Sequence, residues 1–122
     1  MTKKTINIII LVAFLLIVGV GVFLMFGKAT APTNTSGIVF YYGQECPHCL
    51  KVEEYIKNNN IDAKIPVTKK EVWHDQTNAA EMIARAKKCG LDPNAVGVPL
   101  LYDNGKCYIG DVDIINYFAS KL

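Results

Sequence analysis

The sequence predicts an α/β domain, with a central mixed four-stranded sheet flanked by helices, behind one N-terminal apolar helix. Three observations predict it. A continuous apolar stretch runs from Ile6 to Phe26. After it, short β-branched and aromatic runs alternate with stretches of helical periodicity, in the order βαβαββα. The last two runs are separated by Asn104-Gly105, a typical hairpin turn. Because a strand–helix–strand crossover pairs strands in parallel and a hairpin pairs them antiparallel, the sheet should be mixed.

The composition excludes several classes of protein. Of the 122 residues, 51% are hydrophobic and 20% are charged, which is too apolar for a disordered chain, and the length allows one small domain. The formal net charge of +2 includes three lysines of the N-terminal part. Residues 37–122 carry ten basic and eleven acidic side chains, a net charge of −1. We therefore expect no nucleic-acid partner, because such proteins carry a basic surface.

The stretch Ile6–Phe26 predicts a transmembrane helix. Eighteen of its 21 residues are apolar, and a helix of that length rises about 30 Å, the thickness of the hydrocarbon core of a bilayer. A cleaved signal peptide is the alternative, because Lys3 and Lys4 precede the stretch and Ala29-Thr30-Ala31 has the form of a cleavage site. The stretch exceeds the roughly 7–15 apolar residues of a signal peptide, and Pro32 follows the site, so we expect an uncleaved signal-anchor.

The charges on either side of the anchor predict its orientation. Two lysines precede it and one follows it, which favours residues 1–5 inside the cytoplasm and the domain of residues 38–122 outside. Residues 27–37 are small and polar, and they predict a flexible linker. Asn34-Thr35-Ser36 in this linker matches the acceptor pattern for N-glycosylation.

The first half of the domain should form a strand, a helix and a second strand. Ile38–Tyr42 is a β-branched and aromatic run that Gly43 ends. A helix is expected from about Pro47 to Asn59, because proline suits the first turn and an apolar stripe follows it. From Ile61 to Val67 apolar and polar residues alternate, which predicts a strand, and Pro66 favours an edge position for it.

The second half should form a helix, a hairpin and a last helix. The first of these is expected to begin near Asn78, whose spacing to a glutamate three residues on is that of a capping box, and to end at Gly90. Residues 99–103 and 106–109 should be the two hairpin strands. Asp111 is expected to cap the last helix.

The motif Cys46-Pro47-His48-Cys49 lies where the first strand passes into the first helix. At a helix N-terminus, unpaired N–H groups and a partial positive charge stabilise a thiolate at Cys46. Cys49 follows one turn later and can close a disulfide with it. The pair therefore predicts a redox-active dithiol, with Pro47 and His48 tuning its reactivity. Half of a metal site and an inert bridge are the alternatives; a zinc site would need a second Cys/His pair at ligand spacing.

Together, this motif, the element order and the hairpin after Val98-Pro99 resemble the thioredoxin/glutaredoxin superfamily over residues 37–122. The resemblance implies a thioredoxin-like fold in which the Val98-Pro99 bond is cis and lies against the cysteine pair. It also implies that the backbone of Val98 pairs with an extended substrate segment. An ordinary trans proline at a strand start is the alternative for Pro99. The C-P-H-C sequence resembles extracytoplasmic disulfide-forming oxidases, whereas the compact size and Gly110-Asp111 resemble glutaredoxins.

Two regions depart from the superfamily pattern. Phe40 stands where many thioredoxins have a buried carboxylate, so proton transfer at Cys49 lacks that group. Gln44 and Glu45 replace the basic or aromatic residues that often precede the first cysteine. Glu45 should oppose thiolate formation at Cys46. These departures argue against the use of glutathione.

Two further cysteines are candidates for a structural disulfide. Cys89 ends the second predicted helix and Cys107 lies in the hairpin, and an even cysteine count permits a second bridge outside the cytoplasm. Two buried apolar thiols are the alternative, and the sequence does not decide between them. Trp73 and His74 lie in a polar loop, where packing is commoner than a role in a site.

The sequence thus predicts a membrane-anchored thiol–disulfide oxidoreductase acting on the thiols or disulfides of client proteins. Cys46 should form the mixed disulfide and Cys49 should resolve it. Oxidation is the favoured direction, with a membrane redox partner restoring the disulfide; reductase and isomerase work are alternatives. No cofactor beyond the Cys46–Cys49 disulfide and no metal is expected. The competing hypotheses are a tethered copper-binding module or metallochaperone that uses the same two cysteines, and a protein-binding scaffold.

Overall fold

A computed structural model describes residues 2–26 and 37–122. The chain divides into two compact units, of which one holds the N-terminal helix and the other holds residues 37–122. Helix α1 spans Lys3–Phe26. Its part from Lys3 to Val22 is long and apolar enough to cross a membrane. All of the predicted linker except Gly37 lies outside the described residues, together with its glycosylation triplet and the alternative cleavage site.

The second unit is built on one four-stranded sheet. Strands β1 (Ile38–Tyr42), β2 (Val67–Glu71), β3 (Leu100–Asp103) and β4 (Lys106–Ile109) lie in the order β2-β1-β3-β4. β1 pairs in parallel with β2 and antiparallel with β3, and β3 pairs antiparallel with β4. The predicted fold class, with its mixed four-stranded sheet, is confirmed. The carboxyl ends of β1 and β2 and the start of β3 therefore share one edge of the sheet.

Helices cover the two faces of this sheet. α2 (Pro47–Asn58) and α5 (Gly110–Ala119) pack on one face, and α4 (Gln76–Lys88) packs on the other. Side chains of β1 alternate between the faces, as a strand requires. Phe40 belongs to the core under α2 and α5, whereas Tyr41 belongs to the core under α4.

The predicted second strand is wrong in its position. Ile61–Lys64 forms the short helix α3, and strand β2 begins only at Val67. Asn60 adopts a left-handed conformation with φ of 56°, and it turns the chain so that Ile61 is fully buried. An alternating apolar pattern over four residues does not distinguish one helical turn from a strand. The buried contact of Ile61 decides in favour of the helix.

The beginnings of the last two helices also differ from the expectation. α4 begins at Gln76, because the side chain of Asp75 accepts a hydrogen bond from the backbone N–H of Asn78 at 3.0 Å and caps the helix. The side chain of Asn78 instead donates to the backbone carbonyl of Glu71 at 2.9 Å. α5 begins at Gly110 without a side-chain cap, so Asp111 does not have the predicted capping role.

A polar cluster lies between α4 and the sheet. The carboxylate of Glu81 accepts hydrogen bonds from the Tyr41 hydroxyl at 2.8 Å and from Arg85 Nε at 3.2 Å, and it pairs with the ammonium of Lys70. Burial opposes the charge, but hydrogen bonds from Lys70 and Tyr41 and the positive charges nearby hold the pKa of Glu81 below its usual range. The cluster joins β1, β2 and α4 on the face opposite the Cys46–Cys49 pair.

Candidate active site

Cys46 and Cys49 lie at the N-terminus of α2, just after the turn that follows β1. The backbone N–H of Cys46 donates to the carbonyl of Gly43 at 3.1 Å, which closes a tight turn after the strand. Cys46 is the N-cap residue, and its Sγ accepts a hydrogen bond from the backbone N–H of Cys49 at 3.2 Å. Pro47 occupies the first turn, where its missing N–H costs nothing. The local sequence thus places the sulfur atom of Cys46 at the N-terminus of helix α2.

The two thiols differ in accessibility. Both are free in the structure; Cys46 is 4% exposed, whereas Cys49 is completely buried. Burial, and then the hydrogen bond with Cys46, raise the pKa of the Cys49 thiol to about 12, and the charge of Glu53 one turn further along α2 acts in the same direction. Cys49 therefore stays protonated near neutral pH. Cys46 is the sulfur that an incoming group can reach first.

Val98 and Pro99 lie beside the first cysteine. The peptide bond between them is cis, and the Val98 carbonyl oxygen is 4.0 Å from Cys46 Sγ. The carbonyl of Pro99 accepts from the N–H of Gly110 at 3.0 Å, which ties this segment to the start of α5. The structure therefore brings the residues expected to contact substrate next to the reactive sulfur.

The polar contact of the His48 side chain is with α5 and not with the cysteines. Its imidazole Nδ1 lies 3.2 Å from the Asp111 carboxylate on α5, and the ring is 63% exposed. Lys51 approaches the same carboxylate at 3.4 Å. Hydrogen bonding from His48 is the main reason that the pKa of Asp111 is lowered. His48 therefore contacts an acidic partner, Asp111, which the sequence predicts as a helix cap.

The turn before Cys46 carries a second feature that the sequence analysis missed. One carboxylate oxygen of Glu71 accepts from the backbone N–H groups of Gln44 at 3.2 Å and Trp73 at 2.9 Å, and the other accepts from that of His74 at 2.8 Å. Partial burial opposes ionisation, but these backbone N–H groups lower the pKa of Glu71 to about 2. The signal in the sequence is weak: an acidic residue at the end of a strand that pairs with the strand before the motif.

Glu45 directly precedes Cys46, and Phe40 lies in β1. The Glu45 carboxylate lies 3.4 Å from Nε2 of His74. This contact offers Glu45 a cationic partner when the imidazole is protonated. Phe40 is fully buried and packs in the same core as Cys46 and Cys49. Phe40 therefore contributes an apolar side chain to the core in which the two cysteines are buried.

Cys89 and Cys107 form a disulfide, with their Cα atoms 5.9 Å apart. The bridge links the end of α4 to β4. Cys107 packs against the core under α4, on the opposite face of the sheet from Cys46 and Cys49. Within residues 2–26 and 37–122, no group of three or more His, Cys, Asp or Glu side chains is arranged to hold a metal ion.

The chain was compared with family models, with curated proteins and with solved structures. No family model matches the chain, and no curated protein matches it. Among solved structures, the chain is similar to the crystal structure of oxidized glutaredoxin 2 from Chlamydomonas reinhardtii. The two are 24% identical, the match covers 70% of this chain and 73% of that chain, and the TM-score is 0.48.

Proposed function

We propose that this protein is a membrane-anchored thiol–disulfide oxidoreductase that oxidises the thiols of client proteins outside the cytoplasm. The observation that carries the proposal is the asymmetry of the cysteine pair. Cys46 caps a helix N-terminus, accepts an N–H hydrogen bond and borders Val98, whereas Cys49 is buried one turn behind it. Such an arrangement leaves one sulfur accessible for thiol–disulfide exchange and shields the other.

The oxidising reaction begins with the Cys46–Cys49 disulfide. A client thiolate attacks Cys46 Sγ; the client–Cys46 bond forms, the Cys46–Cys49 bond breaks, and the electron pair passes to Cys49 Sγ, which takes up a proton. A second client thiolate then attacks the client sulfur of the mixed disulfide. The client disulfide forms and Cys46 leaves as a thiolate. Two electrons have passed from the client to the cysteine pair.

The raised pKa of Cys49 bears on the lifetime of the mixed disulfide. Resolution of the mixed disulfide by Cys49 would return the client to its reduced state, and it requires the Cys49 thiolate. Because burial keeps Cys49 protonated, the mixed disulfide survives long enough for the second client thiol to attack. Val98, whose carbonyl lies near Cys46 Sγ, would hold the client backbone during that step.

The reduced pair must pass its two electrons to an oxidant. We assign this role to a membrane redox partner that carries its own disulfide, because α1 would keep the domain at the membrane surface. Lys3 and Lys4, which precede the apolar stretch of α1, favour an anchor with its N-terminus inside the cytoplasm. The cycle uses no cofactor beyond the Cys46–Cys49 disulfide.

Trapping of mixed disulfides tests the proposal. In the full-length protein, Cys49→Ala should accumulate client proteins on Cys46, whereas Cys46→Ala should capture none. Purified wild-type protein in detergent should also oxidise a dithiol peptide when its disulfide is formed. An empty trap, together with an inability either to oxidise the peptide or to reduce a protein disulfide, would overturn the proposal.

The copper-binding hypothesis uses the same sulfurs and makes a different prediction. It requires stoichiometric Cu(I) binding that disappears when Cys46 and Cys49 are replaced by serine, together with negligible redox turnover. The scaffold hypothesis requires that the same double variant keep its cellular function. The peptide assay, the Cu(I) titration and complementation by the double variant therefore separate the three hypotheses.

A further inference from the structure

The loop after β2 lies directly against the turn that precedes Cys46. A Cβ atom added at Gly43 would lie 2.4 Å from Cδ2 and Cε2 of the Trp73 indole, so the ring rests on the bare α-carbon of this glycine. Only a residue without a side chain permits that approach. Gly43 is also the residue whose carbonyl receives the N–H of Cys46. The indole thus packs on the first residue of the turn that positions the reactive sulfur.

Glu71 holds this arrangement together. Its carboxylate binds the N–H of Gln44 in the turn before Cys46 and the N–H groups of Trp73 and His74 in the loop after β2. His74 Nδ1 adds a contact at 3.3 Å. One side chain therefore fastens the two segments to each other. The carboxylate of Glu71 is thereby engaged within the protein, and Glu45 lies 3.4 Å from Nε2 of His74.

The sheet order places this loop on one side of Cys46 and the predicted substrate-binding segment on the other. β1 ends just before the motif, β2 lies on one side of it and β3 on the other. Trp73 follows β2, and Val98 precedes β3, at the same edge of the sheet. Yet Trp73 remains 53% exposed. A large aromatic ring that is fixed on one face and exposed on the other offers contact area at low entropic cost.

We propose that Trp73 determines specificity by contacting a bulky apolar side chain beside the client's reactive cysteine, and that Glu71 is a positioning residue that fixes the indole next to Cys46. The inference rests on the proposed function. A client segment held along Val98 extends past Cys46, and its neighbouring side chain meets the indole. The partner is apolar because the nearby carboxylates are engaged within the protein.

Trp73 is the only tryptophan of the chain, so its fluorescence reports on the site directly. In full-length protein in detergent, addition of a peptide with phenylalanine next to a serine-substituted cysteine should shift the Trp73 emission. A matched peptide with serine in place of phenylalanine should leave it unchanged. Glu71→Gln should shift the emission of the free protein to longer wavelength, while the helical circular dichroism stays the same. An unchanged spectrum in Glu71→Gln would overturn the positioning role.

Kinetics with two sizes of thiol substrate provide the second readout. Trp73→Ala should raise KM for the phenylalanine-containing dithiol peptide about tenfold with little change in kcat, because one aromatic contact is lost. Trp73→Phe should recover most of the loss, and Glu71→Gln should raise KM about threefold through a looser indole. The rate with dithiothreitol, which does not reach the indole, should fall much less in Trp73→Ala than kcat/KM for the peptide.

Controls separate this inference from the proposed function. Leu122→Ala removes a side chain that is similarly exposed, at 56%, and Glu54→Gln changes an exposed acid of α2; both should leave KM unchanged. Equal losses with peptide and dithiothreitol, or an unchanged KM in Trp73→Ala, would overturn the inference while wild-type turnover stands. A loss confined to a lysine-containing peptide would overturn the apolar assignment in favour of a cation–π contact. Absence of wild-type turnover would instead count against the proposed function.

Discussion

The buried thiol of Cys49 leads to a quantitative prediction about reactivity. In the variant Cys46→Ser, Cys49 is the one free thiol, since Cys89 and Cys107 are bridged. We expect native Cys49 in this variant to react with iodoacetamide on the order of 1,000 times more slowly than the same thiol in unfolded protein at about pH 8. The reason is that alkylation needs the thiolate, which burial disfavours.

The magnitude follows from the acidity of the thiol. Its pKa is raised from an ordinary 9.0 to about 12, with burial as the largest cause. At about pH 8 the thiolate fraction then falls from about one tenth to about one ten-thousandth. Burial, the largest cause of the raised pKa, does not depend on the sulfur of Cys46. The complete inaccessibility of the Cys49 side chain acts in the same direction as the raised pKa.

The assay compares one thiol in two states. Full-length Cys46→Ser in detergent is alkylated with and without concentrated urea, and the modified fraction is followed by mass spectrometry. The native rate should rise about tenfold per pH unit up to about pH 10. Cys49→Ser, which leaves the less buried Cys46, is the matched control and should react faster than Cys46→Ser. A native rate within about tenfold of the unfolded rate would refute the burial argument.

Three other perturbations act on features outside the reactive pair. Replacing Cys89 and Cys107 by serine opens a bridge with a sequence separation of 18, and should lower the free energy of unfolding by about 3 kcal/mol in urea titrations; a loss below about 1 kcal/mol would contradict the loop-closure estimate. Tyr41→Phe should lower the free energy of unfolding by about 1 kcal/mol and Glu81→Ala by about 3 kcal/mol, because the second removes the carboxylate that accepts from the Tyr41 hydroxyl and pairs with Lys70. Since folding lowers the pKa of Glu81, its contribution should be complete above the unfolded pKa near about 4.5 and be lost as the pH falls through the folded value, so the urea midpoints of wild type and Glu81→Ala should converge in acid. Asp111→Asn should raise the reduction potential of the active-site disulfide in a glutathione buffer, because two basic side chains lose the carboxylate that offsets them; an unchanged potential would contradict this role.

Local sequence determines the part of the site that was predictable. The run Ile38–Tyr42, the turn at Gly43 and the proline at position 47 specify a strand, a stop and a helix start within ten residues. The cysteine spacing then sets one helical turn between Cys46 and Cys49. No distant contact is needed to place these sulfurs together, which is why the motif was informative before the fold was known.

β2 was not predictable from its own residues. Val67–Glu71 contains Lys69 and Lys70, which have no strong preference for strands. The segment is a strand because its backbone pairs in parallel with β1, with Ile38 opposite Val67 and Tyr42 opposite Glu71. Its edge position in the sheet keeps Lys69 near solvent, whereas Lys70 pairs with Glu81 under α4. Pairing between segments about 30 residues apart is a property of the fold rather than of a local pattern.

The same long-range pairing explains why the supporting residues of the site were missed. Glu71 reaches Gln44 only because β2 neighbours β1, and Asp111 reaches His48 only because α5 packs beside α2. In the sequence, Asp111 has the appearance of a helix cap and Trp73 that of a loop aromatic. The spacing of the two cysteines in the sequence predicts which atoms react. The groups that orient this segment come from elements 27 and 63 residues away along the chain.

The sheet separates two pairs of cysteines that, under the proposed function, must behave differently. A catalytic disulfide has to open and close in every cycle, whereas a structural disulfide has to survive in the presence of reactive thiolates. Cys46 and Cys49 belong to the core under α2 and α5, and Cys107 packs against the core under α4. For Cys46 to attack the Cys89–Cys107 bridge, it would have to cross the hydrogen-bonded sheet, whose central strand is completely buried at Val39, Phe40 and Tyr41. Exchange between the two pairs of one molecule would therefore require unfolding, and reduction of Cys46–Cys49 should leave the structural bridge of that molecule intact.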